Sequence, residues 1–166
     1  VYSNAQYAER AVSALVDRIK AGFATKLEQL ESAYGLESEG LGRPREVLSY
    51  AAEHDNRPGL IEVWEEGLDP ISQRENLWSV DCRIAIKQLG GSDLAANALQ
   101  LRRWVTGMIE LIADDPTLGD KVIAAIMKPG ASAAPYGDRS AIRLIYFIPV
   151  EVHVQRVRYT VFVEPQ

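Results

Sequence analysis

A single cysteine, two histidines and two methionines in 166 residues exclude more chemistry than any motif in the chain proposes. Cys82 alone cannot close an intramolecular disulfide or supply a multi-cysteine zinc site. In phase with Val80 and Ile84 it reads as a small core residue, because a reactive thiolate needs an exposed, electropositive setting. His54 falls in a polar connection and His153 in an alternating stretch, and neither belongs to a metal-binding spacing such as H-E-x-x-H. An excess of positive charge is also missing. Eighteen Lys and Arg against 23 Asp and Glu give a net charge of −5, which argues against sequence-independent binding to phosphate backbones or anionic membranes. No apolar run approaches the roughly 18 residues that span a bilayer. The first residues, VYSNAQYAERAVSALVDRIK, carry charge through their helical pattern and do not read as a secretory segment. A soluble protein without a membrane partner is expected. Neither a phosphate-binding loop with its Lys nor G-x-G-x-x-G occurs, so Gly90-Gly91-Ser92-Asp93 reads as a turn leading into a helix. No metal, cofactor or catalytic group is proposed by the residues, and a non-enzymatic role is expected.

What is present is amphipathic periodicity. Ala8, Val12, Leu15, Val16, Ile19, Phe23, Leu27, Leu30 and Tyr34 form a helical stripe over 5–34, with Gly35 placed to end it and Gly22 marking a bend. Residues 35–58 are rich in Gly, Pro and charge and read as a flexible surface connection holding at most one helical turn. LIEVWEE at 60–66 reads as a strand broken at Gly67 and turned at Asp69-Pro70. The clearest strand is 77–87: Trp78, Val80, Cys82, Ile84 and Ile86 point one way, and Ser79, Asp81, Arg83, Ala85 and Lys87 point to water. A charge at Ile84 is therefore expected to destabilise the fold strongly. Leu94, Ala98, Leu101, Val105, Met108 and Ile112 then lie on one helical face over 94–112, and Asp115-Pro116 suits the start of a new turn. Residues 121–129 fit a strand or a short helix, and 130–138 a flexible connection. Alternation resumes from Ile142 to Val154 and slips in phase to Val157, Tyr159, Val161 and Val163, which predicts a bulge or turn near Gln155-Arg156. Pro149, which has no N–H to donate, predicts an edge or a break.

The expected fold is α+β: a mixed or antiparallel sheet packed by two main helices, with a long C-terminal β-hairpin or arm, in one domain over 1–166. The acidic cluster Glu62, Glu65, Glu66 and Asp69 is split by strand alternation, so a solvated, partner-facing edge fits it better than a metal or glycosidase pair. Trp64, Trp78 and Trp104 suit core or interface anchors. His153 is expected to face solvent. Arg139, Arg143, Arg156 and Arg158 give the C-terminal region local positive character that fits contact between copies of the chain. Candidate assembly residues are thus Trp64, Glu65, Arg139, Arg143, Tyr146, His153, Arg156 and Arg158.

Taken in order, RPGLIEVWEEG, LWSVDCRIAIKQL and a helix closing in DDPTLGDKV, between an N-terminal amphipathic helix and extended C-terminal strands, resemble the tail-terminator (tail-completion or minor tail) proteins of long-tailed bacteriophages. The resemblance spans most of 5–160. It implies a virion tail protein, assembled in the bacterial cytoplasm, that forms a homo-oligomeric ring, commonly a hexamer. Such a ring caps the tail tube, ends its polymerisation and receives a head-connector protein. Its partners would be further copies of itself, the tail-tube protein and the head connector, with DNA only passing through the channel. The alternatives are another neck component such as a head–tail joining or stopper protein, a small cytoplasmic enzyme with a pocket under the 130–138 loop, and a bacterial interaction domain unrelated to phage.

Overall fold

A computed structural model describes residues 5–52, 55, 57–87, 93–136 and 143–155. The order is α1 (Ala5–Tyr34), β1 (Glu46–Leu48), β2 (Leu60–Ser72), β3 (Leu77–Lys87), α2 (Leu94–Asp114), β4 (Ala124–Met127), β5 (Ser132–Tyr136) and β6 (Arg143–Gln155). The strands make one six-stranded mixed sheet in the order β1-β2-β3-β6-β4, with β5 also paired to β6. Only β1 and β2 run parallel. Both helices lie on one face of the sheet, and the fold is α+β.

Period-two patterning builds the sheet. Val80, Cys82, Ile84 and Ile86 of β3 sit opposite Val152, Val150, Ile148 and Tyr146 of β6, and this side joins the main core with α1 and α2. The phase is the one read from the sequence. Pro149 nevertheless lies in an interior strand. Its carbonyl accepts a 3.0 Å bond from the Lys128 N–H, and it sits at the gap where β4 has ended and β5 has not begun, so its missing donor interrupts no ladder there.

The helix pair explains two glycines. α1 runs unbroken through Gly22, where a bend was expected. A Cβ at Gly22 would stand 2.7 Å from Leu111 Cδ1, and one at Gly107 would stand 3.0 Å from Leu30 Cδ1. Each helix thus has a glycine where the other's leucine presses in. α2 has no basic residue in its last turn to offset its dipole. α1 supplies them instead: Arg18 donates to the Leu111 carbonyl and Lys26 pairs with Asp114 at 2.7 Å. At its start Asp93 accepts from the Ala95 and Ala96 N–H groups, both at 3.1 Å. Burial begins later than the sequence stripe suggested, since Leu94 is 68% exposed and Leu101 is the first buried apolar position.

The D-P-T-L-G segment is a tight turn held by its first residue. Asp115 accepts from Thr117 Oγ1 at 2.8 Å and from the Gly119 N–H at 2.7 Å. Leu118, Gly119 and Asp120 all adopt positive φ, and burial of the Leu118 side chain in the core holds it in that unfavourable region.

Three connections differ from the sequence reading. Among the described residues of 35–58 no helical turn forms; Glu46–Leu48 is a strand and Leu41 is buried. β2 does not stop at Gly67 but continues through two register shifts to Ser72, with the turn at 73–76. Within 130–138, Ser132–Tyr136 is a strand, and the ambiguous 121–129 segment contains β4. His54, Gly90, Gly91 and the phase slip after Gln155 lie outside the described residues.

Glu31, buried on α1, anchors the first connection. It accepts from Arg43 through both carboxylate oxygens and from the Leu41 N–H. The Arg43 guanidinium foremost, against the opposing effect of burial, holds its carboxyl down at about 2 instead of 4.5. A depressed carboxyl contributes stability that is complete above its unfolded value and lost as pH falls towards the folded one. Glu31→Gln is therefore expected to destabilise the protein at pH 7, with the gap to the parent closing between about pH 4.5 and 2. Urea titrations across that range measure it.

Candidate assembly surface

β1 pairs only with Leu60, Ile61 and Glu62, so from Val63 to Ser72 the outer margin of β2 has no strand beside it among the described residues. This margin presents backbone donors and acceptors, partly blunted by the register shifts at Glu65/Gly67 and Pro70/Ser72 and by Pro70, which has no N–H. Where β1 stops, a groove of about 360 Å³ opens between that margin and α1. Its walls are Glu9, Val12, Ser13 and Val16 of α1, Ser49 just past β1, and Glu65 of β2. Glu65 and Asp69 along the margin are exposed and have no ion-pair partner among the described residues, whereas Glu66 pairs with Arg83 at 3.0 Å.

Among the described residues, the far side of the sheet carries no helix. At one end Ala52 and Asp55, from the crossover between β1 and β2, are tied to it. Glu62 and Lys87, each 3% exposed, meet there at 3.0 Å. Lys87 Nζ also donates to the Ala52 and Asp55 carbonyls, and Glu62 accepts from the Ala52 N–H. Leu60 and Ala85 are buried at this end, although the alternation assigned Ala85 to water. Beyond it the face is half-buried. Trp64 and Phe147 meet edge to face with centroids 6.4 Å apart, and the Arg83 guanidinium lies 5.5 Å from the Phe147 centroid. Lys128 pairs with Asp81 at 3.0 Å, and this contact raises the lysine's pKa. His153 Nε2 stands 2.7 Å from Glu151, and the Glu151 carboxyl is lowered first by that bond and then by one from Ser79.

The sequence candidates therefore divide. Trp64 and His153 share the helix-free face, but His153 is held by Glu151 and is not a free solvent-facing imidazole. Glu65 points the other way, into the groove under α1. Tyr146 belongs to the helix-packed side against the core, so it is not an exposed contact residue. Arg143 begins β6 opposite Tyr136, with its side chain outside the described residues, as are Arg139, Arg156 and Arg158. Sequence reasoning did not single out Arg83 with Phe147, nor Ser13 and Ser49. Arg83 shares its strand phase with Asp81, and Phe147 shares its own with Pro149, a signal that would have placed both on this face.

Elsewhere, a shallow depression of about 540 Å³ lies between Glu9, Arg10, Ser13 and Asp17 of α1 and the Asp120–Lys121 turn. Its one ion pair, Lys121 with Asp17 at 2.6 Å, is solvent-exposed. Burial, with Glu65, Asp81 and Glu66 adding to it, pushes the Cys82 thiol up to about 12, which fits a core residue. Among the described residues no group of His, Cys, Asp and Glu is arranged to hold a metal ion, and no helix is long and apolar enough to cross a membrane. No protein-family model matches the chain, and no curated protein matches it either.

Proposed function

We propose that the protein acts by docking: it is a tail-terminator-like assembly protein whose copies close into a ring on the end of a phage tail tube and stop its growth. The observation that carries this reading is the margin of β2 from Val63 onward, which no strand covers among the described residues, with a groove between it and α1. A contact between one margin of a copy and a different surface of the next is heterologous, and such contacts close into a ring when the rotation between copies divides a circle. The element order supports the same reading, with α2 running into the Asp115–Gly119 turn before the last strands. In this function the ring presents one face to the tail-tube protein and the other to a head connector, DNA passes through its channel, and no bond is broken.

Light scattering on the purified full chain is expected to give a multimer, and electron microscopy to give rings. Added to polymerising tail-tube protein, it should yield tubes capped at one end. A chain that stays monomeric alone and with tube protein would count decisively against the proposal. Binding to filled heads but not to tubes would move it to the head side of the neck.

A further inference from the structure

We propose that the solvent face of α2 docks antiparallel against the same face of a second copy, about a two-fold axis at Thr106. The buried side of α2 runs through Leu101, Trp104, Met108 and Ile112. Helical spacing places Leu99, Arg102, Thr106, Ile109, Glu110 and Ala113 together on the opposite side. Two large apolar side chains stand out there, Leu99 at 45% and Ile109 at 37% exposure. Thr106 spends its hydroxyl within the helix, on the Arg102 carbonyl at 3.1 Å. The solvent face of α1 is different. It carries Glu9, Asp17, Lys20 and Glu28, all exposed, which is the pattern of a helix that stays in water.

The two charges on this face choose its occupant. Arg102 has no ion pair among the described residues, and Glu110 has only a 3.9 Å contact with Lys26, which bonds Asp114 more closely at 2.7 Å. Arg102 and Glu110 stand four residues before and four after Thr106. A parallel copy would bring each charge against its like. An antiparallel copy turned about Thr106 brings Arg102 level with the partner's Glu110, twice over, and Leu99 level with the partner's Ala113, with the small Thr106 at the closest approach. One cation and one acid thus make the face complementary to itself, and α1, charged on its own solvent face, offers no such match. A two-fold contact is isologous, so this interface differs from the heterologous one that closes a ring, and the inference does not rest on the ring reading. From Ala95 to Ala113, at about 1.5 Å per residue, the face is about 27 Å long and about 10 Å wide. That is smaller than the roughly 800 Å² per partner of a standard interface, so the association is reversible and grows with concentration.

The test traps the contact in the full chain with a short thiol-to-thiol cross-linker over a dilution series. Cys82 is 2% exposed, so the introduced thiol is the one that reacts. Thr106→Cys, on the axis, is expected to give a covalent dimer in a yield that rises with concentration. Ala24→Cys, exposed on α1, is expected to give at least about fivefold less, because only a residue on the axis meets itself. In the Thr106→Cys chain, Arg102→Glu is expected to lower the yield about fivefold through like charges brought together, Glu110→Arg to do the same, and the two combined to restore it. Melting of the dilute chains should not change, because both charges are exposed. If a reversal does lower it, Leu99→Gln carries the same test through the apolar contact alone. Equal trapping at Ala24→Cys, a yield indifferent to the reversals and to Leu99→Gln, or one that the combined reversal fails to restore, overturns the inference. A multimer without trapping at Thr106→Cys removes this contact and leaves the ring reading standing, whereas trapping with uncapped tubes does the opposite.

Discussion

Lys87→Met is expected to lower stability by about 3–5 kcal/mol, because it leaves the Glu62 carboxylate buried without its cation. The pair sits beneath the 49–59 crossover, and Lys87 Nζ reaches the Ala52 and Asp55 carbonyls as well, so its loss also unties that crossover from the helix-free face. Among the described residues Glu62 Oε2 has no hydrogen-bond partner, which leaves the carboxylate little alternative support there. Urea denaturation reads the loss as a lower midpoint at unchanged slope. Proteolysis under native conditions should find new cleavage within 49–59. Pairing Lys87→Met with Glu62→Leu should recover much of the loss, since replacing both partners of a buried ion pair is far less costly than orphaning one. Equal destabilisation by the single and double variants would mean that the crossover bonds, and not the charge pair, dominate.

The same pair marks where the sequence stopped being legible. Alternation of Trp78, Val80, Cys82, Ile84 and Ile86 placed β3 and its core side, because these residues obey the local rule that also governs their packing. Glu62 reads as one more member of an acidic, solvated cluster. It is buried only because a loop folds over it and because Lys87 stands beside it across the sheet, a pairing that no local pattern contains. Strand β1 is hidden for a similar reason. Three residues carry no periodicity, and their extended state is imposed by parallel pairing with Leu60–Glu62 across a crossover. In β5 the Gly/Pro/Ala-rich composition suggested a loop, yet a margin strand tolerates Pro135, which need not donate to a further neighbour. Gly22 was read as a local weakness of α1, whereas its reason lies in Leu111 of another helix. The acidic margin around Glu65 and Asp69 was visible as composition. That no strand lies beside it among the described residues was not, because this depends on β1 ending at Leu48.

Trp104→Ala is expected to cost about 3–5 kcal/mol, the range for emptying a fully buried aromatic site. Trp104 is 1% exposed and meets Phe23 edge to face at 5.4 Å, so the cavity would open at the centre of the α1–α2 interface. Its indole N–H also donates to the Leu41 carbonyl at 2.7 Å. Gln100 donates to the same carbonyl, so Trp104→Phe, which keeps most of the ring, should cost only about 1 kcal/mol of hydrogen bonding plus a smaller packing loss. The difference between the two variants separates packing from tethering. The tether matters beyond stability, because Leu41 and the neighbouring Glu31–Arg43 pair fix the connection from which β1 departs. β1 in turn sets where the margin of β2 becomes free. Hydrogen exchange in Trp104→Ala should therefore accelerate across 41–48 more than in β3 or β6. If association runs through the groove, the multimer should weaken under conditions where the fold itself persists. Uniform acceleration over the whole sheet would instead make Trp104 a general core residue with no particular hold on the assembly margin.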